Sequence, residues 1–376
     1  MKKDHPMPAF LIPWQARQHI RSVLEYPARR AARKKLALIR RAAHLSVGFG
    51  GVLDEGRPVH GGAVKLLPLL EAFGGNEREF GILYAVSSSQ PGFAADLFAR
   101  CRRCGIPIVW NQNGVGYPAW AGSESERHNR PMRTLRAMAD HVIYQSEFCR
   151  VSADKFLGPC GVPSEILFNP VDLDVFVPVR EKRFSGSPLR LLAAGTHGTR
   201  DRVASALEAL GELRAGGIEA VLTVAGRFQW ADGERDIARE TARLGLQDFV
   251  RRVARFSQSD APALYRAHDL LVHPKYMDPC PTVVLEAMAS GLPVVGSRSG
   301  GMPEMVPPDC GVLIDTPQDW DNRHTPPGSE LAAAVAALLP DLPEFSLAAR
   351  RNAEARFDVG NWIEAHARIF RGLMGS

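Results

Sequence analysis

Two carboxylates eight residues apart, Asp278 and Glu286, stand in the most informative stretch of the chain, HPKYMDPCPTVVLEAMASGLPVVGSRSGGMPEMV over residues 273–306. A carboxylate can accept hydrogen bonds from both hydroxyls of a vicinal diol, so the pair could hold a polyhydroxylated ligand. The stretch reads as loop, helix, turn, strand and glycine turn. Thr282 is expected to cap the helix, residues 283–290 have helical spacing, and Gly291 sits where a helix stops in the left-handed conformation. Residues 293–296 form a short buried strand. Ser299-Gly300-Gly301 is a tight turn that lets backbone approach a ligand, and Pro303 starts the next helix at its first position. Glu286 is therefore expected in the first turn of its helix, so that two carboxylates flank one helix N-terminus. The alternative is that Asp278 caps its loop and Glu286 favours the helix dipole, with no ligand involved.

Three other groups could take part. His60-Gly61-Gly62-Ala63-Val64-Lys65 opens a helix, and backbone N–H groups of Gly61 and Gly62 can face an anion with the helix dipole behind them. Gly195-Thr196-His197-Gly198-Thr199-Arg200 turns from a strand into a helix; Arg200 or Arg202 is favoured as a cation for an anionic ligand, with Arg227 in reserve and plain surface charge as the alternative. His197 reads as a loop residue. The loop NQNGVGYPAW, residues 111–120, is polar, glycine-rich and aromatic, and Asn111, Asn113, Tyr117 and Trp120 suit sugar hydroxyls and ring faces. An unliganded surface loop is the bland reading there. No Ser-His-Asp or Cys-His constellation is evident.

The elements that must position these residues alternate strand with helix. Strands are expected at 45–49, 80–86, 106–110 and 141–144, with helices at 93–104, 132–139 and after Ser146. Past a linker at 179–188, strands follow at 189–194, 220–225, 250–253, 270–273 and 311–315. Helices are expected at 261–267, 331–339, 347–357 and 362–374, and residues 316–328 are polar and proline-rich. Such alternation implies parallel sheets with helices on both faces and ligands outside the carboxyl ends of the strands.

The central stretch resembles the hallmark of the retaining glycosyltransferases of the GT-B fold, glycosyltransferase family 4. That hallmark has two acids separated by seven residues, then LEAMAxGxPVV, then GGxPE. The match here is Asp278, Glu286, Ala287, Met288, Gly291, Pro293, Gly300, Gly301, Pro303 and Glu304. The resemblance covers roughly residues 45–370 and implies an α/β chain of two doubly wound Rossmann-like domains facing a cleft. It divides the chain into a basic N-terminal extension (1–44), an acceptor-side domain (45–178), a nucleotide-sugar-binding domain (179–358) and a helix crossing back to the first domain (359–376). It implies that Asp278 approaches the donor sugar and Glu286 holds the ribose. It also implies that the Gly61-Gly62 loop and Gly195 touch the donor, and that loop 111–120 faces the acceptor.

This chain departs from the pattern in four places. Asp278 replaces the usual Glu and reaches one methylene less. Pro279-Cys280-Pro281-Thr282 replaces a glycine-rich loop, and prolines have no N–H, so donors must come from Cys280, Thr282 and Val283. Asn113 stands where many members have His, and the usual phosphate-binding lysine falls on Asp201, between Arg200 and Arg202. Asp172-Leu173-Asp174 spells a DxD, which binds metal in a different glycosyltransferase fold; its flanks match the inter-domain junction instead, and no metal is expected. The expected ligands are a UDP- or GDP-linked sugar and a carbohydrate or glycolipid acceptor, with no cofactor beyond the donor. The setting this suggests is surface polysaccharide or glycoconjugate synthesis. A non-catalytic nucleotide-sugar-binding or scaffold protein on the same fold is the alternative.

Length and composition agree with two ordinary domains: 376 residues, 45% hydrophobic, net charge +5. The charge excess lies largely in one N-terminal segment, so no nucleic acid is implied. The six cysteines are scattered, which suits a reduced cytoplasmic protein, and the lone Cys101-Arg-Arg-Cys104 reads as structural. Residues 15–43 are rich in arginine with interleaved Ile20, Val23, Leu24, Leu36, Leu38 and Ile39. Peripheral contact with an anionic membrane at its inner face and a solvated helical extension are equally weighted readings of that segment.

Overall fold

Runs such as ILYAV and the IVW of IVWNQ are apolar on both alternating faces, which is what a strand buried between two helical layers requires. The computed structural model describes residues 36–50, 65–179 and 188–375. Gly61, Gly62, most of the basic extension and most of the linker lie outside the described residues.

The first sheet has five parallel strands in sequential order: β1 (Val47–Gly48), β2 (Ile82–Val86), β3 (Ile108–Gln112), β4 (His141–Tyr144) and β5 (Ser164–Ile166). Between β1 and β2 lies α1 (Leu66–Phe73); the later connections carry α2 (Ala94–Arg103), α3 (Ser125–Arg136) and α4 (Glu147–Leu157). From β2 to β5 every step advances the same way across the sheet, so right-handed crossovers put α2, α3 and α4 on one face. Leu83, Ala85, Ile108 and Trp110 pack with them there. Ile82, Tyr84, Val109 and Ile143 point to the other face, where Leu66 and Leu69 of α1 cover part of the apolar surface. Helix α3 begins well before residue 132 and contains Pro131.

Residues 36–44 belong to this domain, so it begins before residue 45. Leu36 and Ile39 are buried in its core, and Arg40–Arg41 pairs with Glu79–Phe80. Those two apolar side chains of the basic segment thus face protein; Leu38 is exposed.

The second sheet is parallel with six strands: β6 (Leu189–Ala194), β7 (Ala220–Ala225), β8 (Val250–Val253), β9 (Leu270–His273), β10 (Val294–Arg298) and β11 (Gly311–Asp315). Their spatial order is β8-β7-β6-β9-β10-β11. The order reverses between β6 and β9, and a crevice must open outside the carboxyl ends of those two strands. One face is covered by α5 (Arg200–Ala215), α6 (Gly233–Arg243) and α9 (Gly328–Leu338). The other is covered by α7 (Ala261–Arg266), α8 (Thr282–Ala289) and α10 (Leu342–Arg356). Helix α11 (Val359–Met374) returns to the first sheet and covers the rest of that face with Trp362, Ile369 and Phe370. There His366 meets the Tyr84 hydroxyl at 3.0 Å.

Several contacts join the domains. The segment between β11 and α9 leaves the second domain and inserts Trp320 among Tyr117, Phe148 and Phe156, stacked on Phe148 at 5.4 Å. Glu304 accepts the Glu147 and Phe148 N–H groups at 2.6 and 2.8 Å, so a second-domain carboxylate caps the N-terminus of α4. Ser146 donates to the Pro279 carbonyl at 2.8 Å while also capping α4.

Candidate functional site

At the crevice between β6 and β9, the β9–α8 loop is held in one shape by two hydrogen bonds at Met277. Met277 adopts a left-handed φ of 48°, its N–H donates to Ser299 Oγ, and its carbonyl accepts from the Tyr117 hydroxyl. Such a conformation costs roughly 1–3 kcal/mol and persists only where the surroundings fix it. Gly300, at φ +65°, lies so close that a Cβ there would stand 2.6 Å from the Asp278 carbonyl oxygen. The glycine turn therefore exists to let two backbones touch behind Asp278.

Asp278 is buried, and its Oδ2 meets His273 Nε2 at 2.9 Å and Lys275 Nζ at 3.0 Å. Arg202 Nη2 donates to His273 Nδ1 at 3.2 Å. A guanidinium can only donate, so the Nε2 proton of His273 points at Asp278. Burial alone would raise the Asp278 carboxyl, but Lys275 and His273 hold it well below the usual carboxylate range. Burial, with Arg202 beside it, pushes His273 down to about 4, so His273 is a neutral donor near pH 7. Arg202 itself is pushed down to about 10 by burial. Its other contacts are the Thr196 and Ala194 carbonyls at 3.0 and 2.7 Å, and its buried Nε has no partner among the described residues.

Glu286 stands in the second turn of α8, not the first, because the helix starts at Thr282 with Pro281 as its N-cap. Thr282 makes no capping bond and is exposed instead: Pro281 already holds the extended conformation a cap needs. The Tyr265 hydroxyl donates to Glu286 Oε2 at 2.7 Å, and burial pushes Glu286 up to about 7. Val283 is half-buried; a Cβ on Gly195, at φ +105°, would stand 3.3 Å from its Cγ1, so the β6–α5 loop and the start of α8 touch.

The remaining candidates separate. Arg200 is tied to Glu240 on α6 at 3.0 Å, away from Asp278. Arg227 is exposed just past β7. Cys280 is buried, its thiol accepting the Asn169 N–H and its carbonyl the Asn169 side chain, so it serves the domain junction. Tyr117 is buried beneath Trp320 and closes the interface instead of lining an open loop. Trp120 is 56% exposed and packs on His128. Asp172 caps the Asp174 and Val175 N–H groups, as a turn residue does.

Asn111 and Asn113 join a cluster that sequence reasoning missed. Lys65 Nζ is buried and donates to Asn111, Asn113 and Asn169 Oδ1 at 2.8, 3.4 and 3.2 Å. Burial pushes it down to about 7. Lys275, His273 and Tyr265 were missed as well. The available signals were position: Lys65 follows the Gly-Gly pair, and His273 and Lys275 lie within five residues of Asp278.

Comparison with solved structures decides the architecture. HepE of Anabaena in complex with UDP superposes with a TM-score of 0.64, 18% identity, and coverage of 78% of this chain and 79% of that one. Sucrose-phosphate synthase from Thermosynechococcus elongatus gives 0.63, 19%, 83% and 77%. The chain has the GT-B fold. Within this GT-B chain, residues 179–325 match the family described as Glycosyl transferases group 1. The D-inositol 3-phosphate glycosyltransferase of Salinispora tropica is 38% identical over 112 residues, 29% of this chain. The MMP alpha-(1->4)-mannosyltransferase of Mycolicibacterium hassiacum is 32% identical over 123 residues, 32% of this chain. The matched stretches span 21% and 28% of those relatives' own lengths.

Proposed function

We propose that this GT-B chain is a retaining glycosyltransferase of the family 4 type. It would move a sugar from a nucleotide-diphosphate donor, UDP-linked in the first instance, to a carbohydrate or glycolipid acceptor. The observation that carries the reading is the pair Asp278 and Glu286 beside the crevice where the strand order reverses, one held ionised and the other raised by burial. Glu286 takes the ribose diol, Asp278 takes a sugar hydroxyl, and Lys65 with its asparagines stands on the acceptor side. Leaving phosphate and incoming hydroxyl share one face of the sugar in an oxocarbenium-like transition state, so the protein stabilises charge and excludes water without a nucleophile of its own. Diphosphate charge is met by cationic side chains and backbone donors, with no metal. The two relatives named for glycosyl transfer and the UDP complex of HepE support this assignment.

The test is saturation-transfer NMR against UDP-, GDP- and ADP-sugars with wild type and Glu286→Ala side by side. One donor binding the wild type and losing its ribose contacts in the variant is expected; no binding at millimolar donor would make a non-catalytic scaffold the better reading. Product anomers from the first active donor–acceptor pair then decide retention. Surface polysaccharide or glycolipid synthesis at the cytoplasmic face of the membrane is the proposed setting. Loss of binding to anionic vesicles by a chain starting at residue 36 would support the membrane part; equal binding would remove it.

A further inference from the structure

We infer that Lys275 is the cation that receives the donor's diphosphate, exchanging Asp278 for a phosphate oxygen as it does so. The inference rests on the donor-site reading above and names a residue outside the pattern that suggested it. A diphosphate in a crevice needs a cation that can reach it. In the β6–α5 loop, where a lysine would be expected, Asp201 stands, and the Thr325 hydroxyl and Arg323 hold its carboxylate. Arg200 is engaged by Glu240, and Arg202 is buried against two carbonyls and His273.

Lys275 differs from all of these. It lies two residues past the end of β9, at the point where the strand order reverses. Its side chain is 39% exposed, while those of its partners Asp278 and His273 are 8% and 1% exposed. Of the three, Lys275 is the one that opens towards solvent. Its ammonium has three donors on a flexible stem and can swing to an arriving phosphate. Asp278 does not become an orphan when it does, because the His273 Nε2 proton, fixed by Arg202, stays on its carboxylate. Asp278 then has an acceptor position free for a sugar hydroxyl. Donor arrival thus converts one internal ion pair into two ligand contacts. When the bond between the anomeric carbon and the phosphate oxygen breaks, its electron pair stays on the diphosphate beside the ammonium, which stabilises the departing charge.

The test is calorimetric titration of wild type, Lys275→Met and Lys275→Arg with UDP and with uridine. Lys275→Met is expected to weaken UDP binding by about tenfold or more while leaving uridine unchanged, and Lys275→Arg to restore most of the loss. Wild-type UDP affinity in Lys275→Met, or equal losses for UDP and uridine, would overturn the inference, the second outcome marking a structural role. If wild type binds none of UDP, GDP and ADP, the donor-site reading itself falls and takes this inference with it.

Discussion

Burial acts in opposite senses on Lys65 and Glu286. The amine of Lys65 titrates near 7 in the folded chain and near 10.5 when unfolded. Between those values the unfolded state binds the extra proton, so stability should rise with pH across that window. Lys65→Met should abolish the rise, roughly a few kcal/mol by the linkage relation, and urea unfolding at pH 7 and 10 measures it. Glu286 titrates near 7 folded and near 4.5 unfolded, so its contribution to stability falls as pH rises through that range. The ribose-binding role proposed for it runs the other way, because only the ionised form offers two acceptor oxygens. Nucleotide affinity should therefore strengthen from pH 6 to 8, and Glu286→Gln should be weaker and flat across that range in calorimetric titrations. That the two acids flank one helix was legible in the sequence, because they lie eight residues apart along one loop and helix. The groups that tune them were not: Tyr265 lies on another helix, and Lys65 meets Asn169 across 104 residues.

Among the elements, the turn at Gly300 and Gly301 does the most to place the β9–α8 loop. Gly300→Ala puts a methyl against the Asp278 backbone in a left-handed conformation, and should cost about 1–3 kcal/mol. Donor affinity should fall further than stability does, since Asp278 must shift; chemical denaturation and saturation-transfer NMR on the same variant separate the two. Most strands of the two sheets were legible as short apolar runs, though β5, the polar Ser164–Ile166, was not; Gly291 ends its helix in the left-handed conformation its position predicts. The cap at Thr282 misread a local competition, since the preceding proline was already extended. Nothing in the polar, proline-rich run at 316–328 announces that its tryptophan belongs to the other domain's core. That fact depends on an aromatic pocket assembled from residues 117, 148 and 156.

At the scale of the molecule, Trp320 and Glu304 are among the contacts that keep the cleft closed. Trp320→Ala combined with Glu304→Gln should open it, and small-angle scattering should record a larger radius of gyration; an unchanged radius would mean that the remaining contacts suffice. Repeating strand and helix made two α/β domains legible, whereas their mutual docking had no periodic signature. Helix α11 adds a constraint of another kind, one of time. The face of the first sheet that carries Ile82, Tyr84 and Ile143 has Trp362 and Phe370, beside Leu66 and Leu69 of α1, as its cover. On a ribosome the strands emerge long before residues 359–374 do. The nascent first domain must therefore wait with the part of that apolar face beyond α1 unsealed while the whole second domain is made. Its folding is finished from the far end of the message, and chaperone dependence during synthesis should exceed that of the completed chain on refolding.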